Sequence, residues 1–245
     1  MSIPGERIIL FLALILSGTV YVSGQVDFSV SNLPVVVIET NGQEILDDPR
    51  IVADMGIIYN GEGQDNHISD PFNHYEGKIS IEYRGSTSLN YAKKSYSFET
   101  QDDYGANRNV PLLGMPEEND WVLYGPYGDK TLIRNIISYK LFSDLGHYAP
   151  RTSLCELVLN GNYQGVYVLV EKIKRDGNRV NIAGLNSSDI SGDNLTGGYI
   201  IKIDKTNGDV GPTWTTGDPG WSVASIFQIR INPFEQNFEG IYMSN

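Results

Sequence analysis

The stretch "YRGSTSLNYAKKSYSFET", residues 83–100, gathers Arg84, Lys93 and Lys94 in a 245-residue chain whose formal net charge is −12. Fixed cations so close together have two ordinary uses. Lysines at a strand edge discourage pairing with another chain, and an arginine near Glu82 or Glu99 makes a surface ion pair. The alternative is that the three face an anion. Gly85, beside Arg84, is where backbone could approach a ligand closely.

Other chemistry-bearing residues are spread along the chain. Asp129, Arg134 and Asn135 sit together in "DKTLIRN", where Arg134 could brace Asp129 or Asp204. Glu171 follows the apolar run "YVLV", with Lys172 and Arg175 as nearby ion-pair partners. Asp204 ends "GGYIIKID", and Asp209 follows. Their spacing does not supply the alternating oxygen ligands of a calcium loop, so a turn cap is expected there. His67, His74 and His147 are scattered without metal-ligand spacing, and no metal site is expected from these residues.

These side chains must be held by a framework, and the patterning is mainly that of strands. "PVVVIET" and "IVADMGIIY" are β-rich runs. "KISIEYR" and "KSYSFET" alternate, with Ile79, Ile81, Tyr83, Tyr96 and Phe98 facing inward. On that alternation Lys94 shares the inward face of Tyr96 and Phe98, and Lys93 turns away. "DWVLYG" is a further short strand. "SLCELVLNGNYQGVYVLVEKI" is a hairpin turning at Asn160-Gly161, residues that accept positive φ. "GGYIIKID" and "FQIRI" complete the strands, and residues 60–77 read as a long surface loop. One helix is expected after Asp129 as N-cap, with Leu132, Ile133, Ile136, Ile137, Leu141 and Leu145 packing inward and Gly146 ending it. The fold class is therefore α+β: a mainly antiparallel sheet with one packed helix.

Residues 1–24 have the form of a signal peptide. Arg7 precedes the apolar run Ile8 to Leu16, which is shorter than the roughly 20 residues of a membrane span, and small residues follow. The mature chain, 25–245, is expected to be secreted or extracytoplasmic, at the cell surface or beyond, with no stable membrane span. Its acidity argues against nucleic acid as a partner. Cys155 is the single cysteine, so no intramolecular disulfide can form. Stability must come from the core.

Four stretches, "YRGSTSLNYAKKSYSFE", "DKTLIRN", "NGNYQGVYVLVEKI" and "GGYIIKID", occur in this order and together resemble the CotH (spore-coat-H) kinase family over roughly residues 75–240. The resemblance implies an atypical secreted protein kinase that transfers phosphate from ATP, with a divalent metal (Mg or Mn), to Ser or Thr of a secreted, surface or coat protein. It implies that the sheet and helix correspond to the N-lobe of a remote kinase-like fold. It also gives the opening residues a role, because phosphoryl transfer needs cations on the phosphates. Arg84 and Lys94, with Lys93 as the lesser choice, become the phosphate-facing set. Glu171 becomes a nucleotide contact by fold analogy, and Asp129, Arg134, Asn135 and Asp204 become supporting residues. Ordinary kinases place a Glu on the equivalent helix to hold the lysine. This helix has only Asp144, near its far end.

The family's catalytic acids belong to a largely helical second lobe beyond the GGYI strand. No such lobe follows here, and no W-D-F-D segment is present. The chain is therefore expected to be truncated before the catalytic lobe and inactive alone, either as a fragment of a kinase or as a degenerate member. The competing expectation is a non-catalytic coat, matrix or adhesion module that keeps the fold.

Overall fold

The computed structural model describes residues 27–184, 186, 188–196, 200, 202–204, 213–215 and 228–230. Residues 1–24, with the expected signal peptide, lie outside them. In chain order the strands are β1 (Val30–Ser31), β2 (Val35–Glu39), β3 (Ile51–Ile58), β4 (Asn66–His67) and β5 (Tyr75–Arg84). A 3₁₀ turn over Thr87–Asn90 leads to β6 (Ser95–Gln101), β7 (Val110–Leu112), β8 (Met115–Glu118) and β9 (Asp120–Tyr124). Helix α1 (Arg134–Asp144) precedes β10 (Thr152–Leu159) and β11 (Asn162–Glu171). A short helix α2 (Asp193–Thr196) and strands β12 (Lys202–Asp204), β13 (Thr213–Thr215) and β14 (Gln228–Arg230) follow.

Seven strands close into a barrel in the order β10, β11, β9, β6, β5, β3, β2. Every neighbouring pair is antiparallel except the closing one, β2 with β10, which runs parallel with Glu156 opposite Val35. The sheet is mainly antiparallel, and it is rolled shut with its edges removed, a closure the sequence did not show. The alternation of the strands explains the closure. In β11, Tyr167 and Leu169 point into the main core, whereas Val168 and Val170 point outward yet are also buried. Strands that are apolar on both faces need cover on both, and closure supplies the inner one. The barrel interior holds Ile79, Ile81, Phe98, Trp121, Leu123, Leu157 and Tyr167, all at most 1% exposed. Cys155 is buried here too, and its thiol is pushed up to about 12, chiefly by desolvation.

Two patches cover the outside. Val35, Ile58 and Val158 pack beneath Phe28 and Tyr163, whose rings stack 4.4 Å apart. Val122, Val168 and Val170 pack beneath Ile136 and Tyr139 of α1. This corrects the expected packing of the helix. It contains no fully buried residue, and Ile137, Leu141 and Leu145 are 55%, 61% and 68% exposed. It also begins four residues later than an Asp129 N-cap requires. Leu132 takes a left-handed turn, φ 63°, and the helix starts at Arg134. Its end is as expected: Gly146, φ 86°, donates to the Ser143 carbonyl, and His147 to that of Phe142. These two bonds form a Schellman motif.

The region read as one long loop contains β4, which pairs with β1, and the β7–β8 hairpin was not expected at all. Both are two to four residues long, too short for alternation to register. Strands β12, β14 and β13 form a separate three-stranded sheet.

Candidate functional site

The Asn160-Gly161 turn behaves as its residues dictate, with φ of 50° and 69°. Beyond it the β10–β11 register shifts between Leu157 and Val158, leaving a bulge at Gln164 that frees that residue's carbonyl from the ladder. Gly165, φ 87°, makes the bulge possible. The start of β11, the ends of β5 and β9 and the start of β6 meet at one mouth of the barrel. There Arg84 lies opposite Ser95, and Tyr96 lies opposite both Tyr83 and Leu123.

Lys93 and Lys94 stand at this mouth just ahead of β6. The Lys93 ammonium donates to the bulge carbonyl of Gln164 at 3.2 Å and sits 4.4 Å above the centre of the Tyr167 ring. Desolvation holds its pKa below the usual lysine range, against the opposing pull of Glu156 and Cys155. The Lys94 ammonium donates to the Leu89 carbonyl and lies 5.8 Å from the Tyr83 ring. The expectation that Lys93 turns away is thus corrected. Pairing of β6 begins only at Ser95, so strand alternation does not govern the residues before it. Lys93 is the lysine that reaches the core ring. Glu82 and Glu99, the acids considered for Arg84, both bond to Arg50, at 2.8 and 2.9 Å.

The loop carrying Asp129 joins this mouth. Gly125 donates to Ser95 Oγ at 3.0 Å, and the Tyr127 and Tyr91 rings stack 5.2 Å apart. Asp129 accepts from the backbone of Thr131 and of Arg134, each at 2.9 Å, and from the Thr131 hydroxyl at 2.6 Å. Desolvation works to raise its pKa, but these bonds outweigh it and leave the carboxyl below its ordinary value. Arg134 Nε lies 3.4 Å from Asp129, which is the bracing expected of it. Asn135 opens α1 and is half-buried.

The remaining candidates lie elsewhere. Glu171 is six residues beyond Gly165 on β11, about 20 Å along the strand. Its side chain is wholly buried. One oxygen pairs with Arg151 Nε at 2.8 Å and Arg179 Nη1 at 2.9 Å, and the other accepts the Arg151 backbone N–H at 2.9 Å. The partners expected from proximity, Lys172 and Arg175, are not the ones used. Lys172 goes to Asp120. With both oxygens engaged and no exposure, the Glu171 carboxylate has nothing to offer a nucleotide in this arrangement. Asp204 ends β12 in the separate sheet. Sequence reasoning missed Gln164, Tyr167, Arg151 and Arg179. The glycine at the bulge was the one local signal for the first two. The arginines lie too far along the chain to have been matched to Glu171.

The mouth can therefore present fixed cations to an anion. It offers no metal cage: among the described residues no group of three or more His, Cys, Asp or Glu could hold a metal ion. A groove of about 480 Å³ opens elsewhere, on the outer patch lined by Phe28, Val37, Ile68, Phe72 and Tyr163. No described helix is long and apolar enough to cross a membrane.

Comparison with known proteins returns the same segment. Residues 81–225 match the family described as CotH kinase protein. The inner spore coat protein H of Bacillus subtilis (strain 168) is 32% identical over 97 residues, 39% of this chain and 24% of that protein. The matched region thus spans about a quarter of that relative's length.

Proposed function

Because the chain belongs to the CotH kinase protein family, we propose that it is the nucleotide-binding part of an atypical protein Ser/Thr kinase that acts on secreted, surface or coat proteins. The spore-coat relative supports a coat-associated, kinase-like protein. In this reading the barrel and α1 correspond to the N-lobe, ATP is the phosphate source, and Mg or Mn is required in the whole protein. Secretion follows from the signal-like residues 1–24.

The observation that carries the reading is that Arg84, at the end of β5, and Lys93 and Lys94, just ahead of β6, share one barrel mouth in an otherwise acidic chain. These residues fit the phosphates of a nucleotide. The described residues do not fit a metal, so no step is assigned to one. The chain's own contribution is to bind and orient phosphate. The acids that hold the metal and position the acceptor are assigned to the catalytic lobe expected from the family, and the chain alone should bind ATP without transferring phosphate.

Calorimetric titration of residues 25–245 with ATP tests this. Arg84→Ala and Lys93→Ala should each weaken binding by about ten- to a hundred-fold, the usual loss for one charge-assisted phosphate contact. Unchanged affinity in both variants would leave these cations as surface charges without a ligand, and a non-catalytic coat module would become the better reading.

A further inference from the structure

Lys93 is held in an unusual way for a cation expected to meet phosphate. Among the described residues it makes no ion pair with a carboxylate; its ammonium rests on the Tyr167 ring and the Gln164 carbonyl. The helix provides no substitute, for α1 has no acid in its first turn, and Asp144 near its end is bonded to Lys140. Two glycines make this placement possible. A methyl group on Gly165 would lie 3.1 Å from Lys93 Nζ, at a φ of 87° that already disfavours any side chain. A methyl on Gly125 would lie 2.6 Å from the Lys94 carbonyl and 3.1 Å from both Lys93 Cγ and Tyr167 Cε1. The ring is itself fixed, being 1% exposed, with its hydroxyl donating to the Lys94 carbonyl at 2.9 Å. Side chain, ring and backbone therefore close a small loop around the ammonium.

We infer that Tyr167, Gln164, Gly125 and Gly165 form a rigid seat for Lys93, and that this seat, in place of a helix-borne carboxylate, sets where the ammonium meets an anionic ligand. The inference rests on the phosphate-site reading above and deepens it. A π-face and a peptide carbonyl hold a cation without neutralising it, so the full charge stays available to the ligand. A carboxylate partner would compete with phosphate for it. The seat is shaped for a compact ammonium. A guanidinium is planar and longer, so an arginine would carry its charge past the place between the Tyr167 ring and the Gln164 carbonyl where the ammonium rests.

Two measurements test this on residues 25–245. The first needs no nucleotide: acylation of amines by acetic anhydride across a pH series, read by peptide mass spectrometry. The titratable groups acting on Lys93 are Glu156 and Cys155 of β10, and both oppose the desolvation that favours its neutral amine. The seated Lys93 should become reactive at lower pH than the surface lysines, and Gly165→Ala should erase that difference. Lys93 titrating like the surface lysines, or Gly165→Ala leaving its reactivity unchanged, overturns the seat. The second is ATP titration of Lys93→Arg beside Lys93→Ala. Loss of affinity by about ten- to a hundred-fold in both is expected, because charge without position does not suffice. Wild-type affinity in Lys93→Arg overturns the inference while leaving the phosphate reading intact. If the unaltered chain does not bind ATP, the phosphate reading fails, and the acylation series still decides whether the seat exists.

Discussion

From Gly161 to Glu171, every second residue has its own task. Gly161 turns the hairpin, and Tyr163 stacks on Phe28 and donates to Glu156 at 2.7 Å. Gly165 permits the bulge, Tyr167 seats Lys93, and Leu169 fills the core. Glu171 locks the opposite end through Arg151 and Arg179, and the Arg179 side chain is itself wholly buried over Trp121. Removing the carboxylate leaves that guanidinium buried without its counter-charge, a loss that typically costs about 3–5 kcal/mol. Glu171→Ala should therefore lower the urea midpoint strongly in the absence of nucleotide. If the variant keeps wild-type stability and loses ATP affinity instead, Glu171 is a ligand contact and not a lock. The two-residue spacing of this motif was legible in the sequence, but not the bulge at Gln164 that turns Tyr163 to the outer patch while Tyr167 and Leu169 face the core. Nor were the partners of its last residue. They lie twenty positions back and eight forward, and nearness in sequence favoured Lys172 and Arg175 wrongly.

At the scale of single elements, the β7–β8 hairpin shows how a short element is held from outside. Its turn, Leu113-Gly114, has positive φ at both residues, 47° and 79°, which is unfavourable for leucine. The Leu113 N–H donates to Nε2 of His74, 2.7 Å away on the neighbouring stretch of chain. Desolvation lowers the pKa of His74 from its ordinary 6.5, and an accepting Nε2 must be unprotonated. The folded protein therefore binds this proton less readily than the unfolded chain. The contribution to stability is complete above pH 6.5 and is lost as the pH falls through that value toward the folded pKa. Thermal melts between pH 8 and 5 should show wild type losing more on acidification than His74→Asn, whose own curve should be flatter. Parallel curves would remove His74 from the account. Helix α1 shows the complementary lesson. Its period predicted a helix correctly, but periodicity cannot say whether a partner covers the apolar stripe. Ile136 and Tyr139 find the outer patch, whereas Ile137 and Leu141 remain largely in solvent.

For the whole molecule, the decisive event is the pairing of β2 with β10, which lie more than a hundred residues apart and run parallel. No local signal could show it. The alternation of each strand is the same in an open sheet and in a barrel. Closure is secured at the hairpin tip: Asn160 Oδ1 accepts the Thr40 N–H at 2.8 Å, its amide donates to Thr40 Oγ1 at 3.0 Å, and its own N–H bonds to the Ile38 carbonyl at 2.9 Å. The residue that turns the hairpin thus also clasps the end of β2. A closed ladder has no fraying edge, so its amides should open together near the global unfolding free energy, whereas elements with little burial open at far lower cost. Native-state hydrogen exchange should accordingly find the ladder amides of β2, including those paired to β10, as protected as those of β6 and β9 in mid-barrel. The α1 amides should exchange far faster, since no residue of that helix is fully buried. Asn160→Ala should selectively speed exchange in β2 and the end of β10, because it releases both side-chain bonds to Thr40. Uniform protection of β2 in that variant would mean that the parallel pairing holds itself, and that the clasp contributes only to the turn.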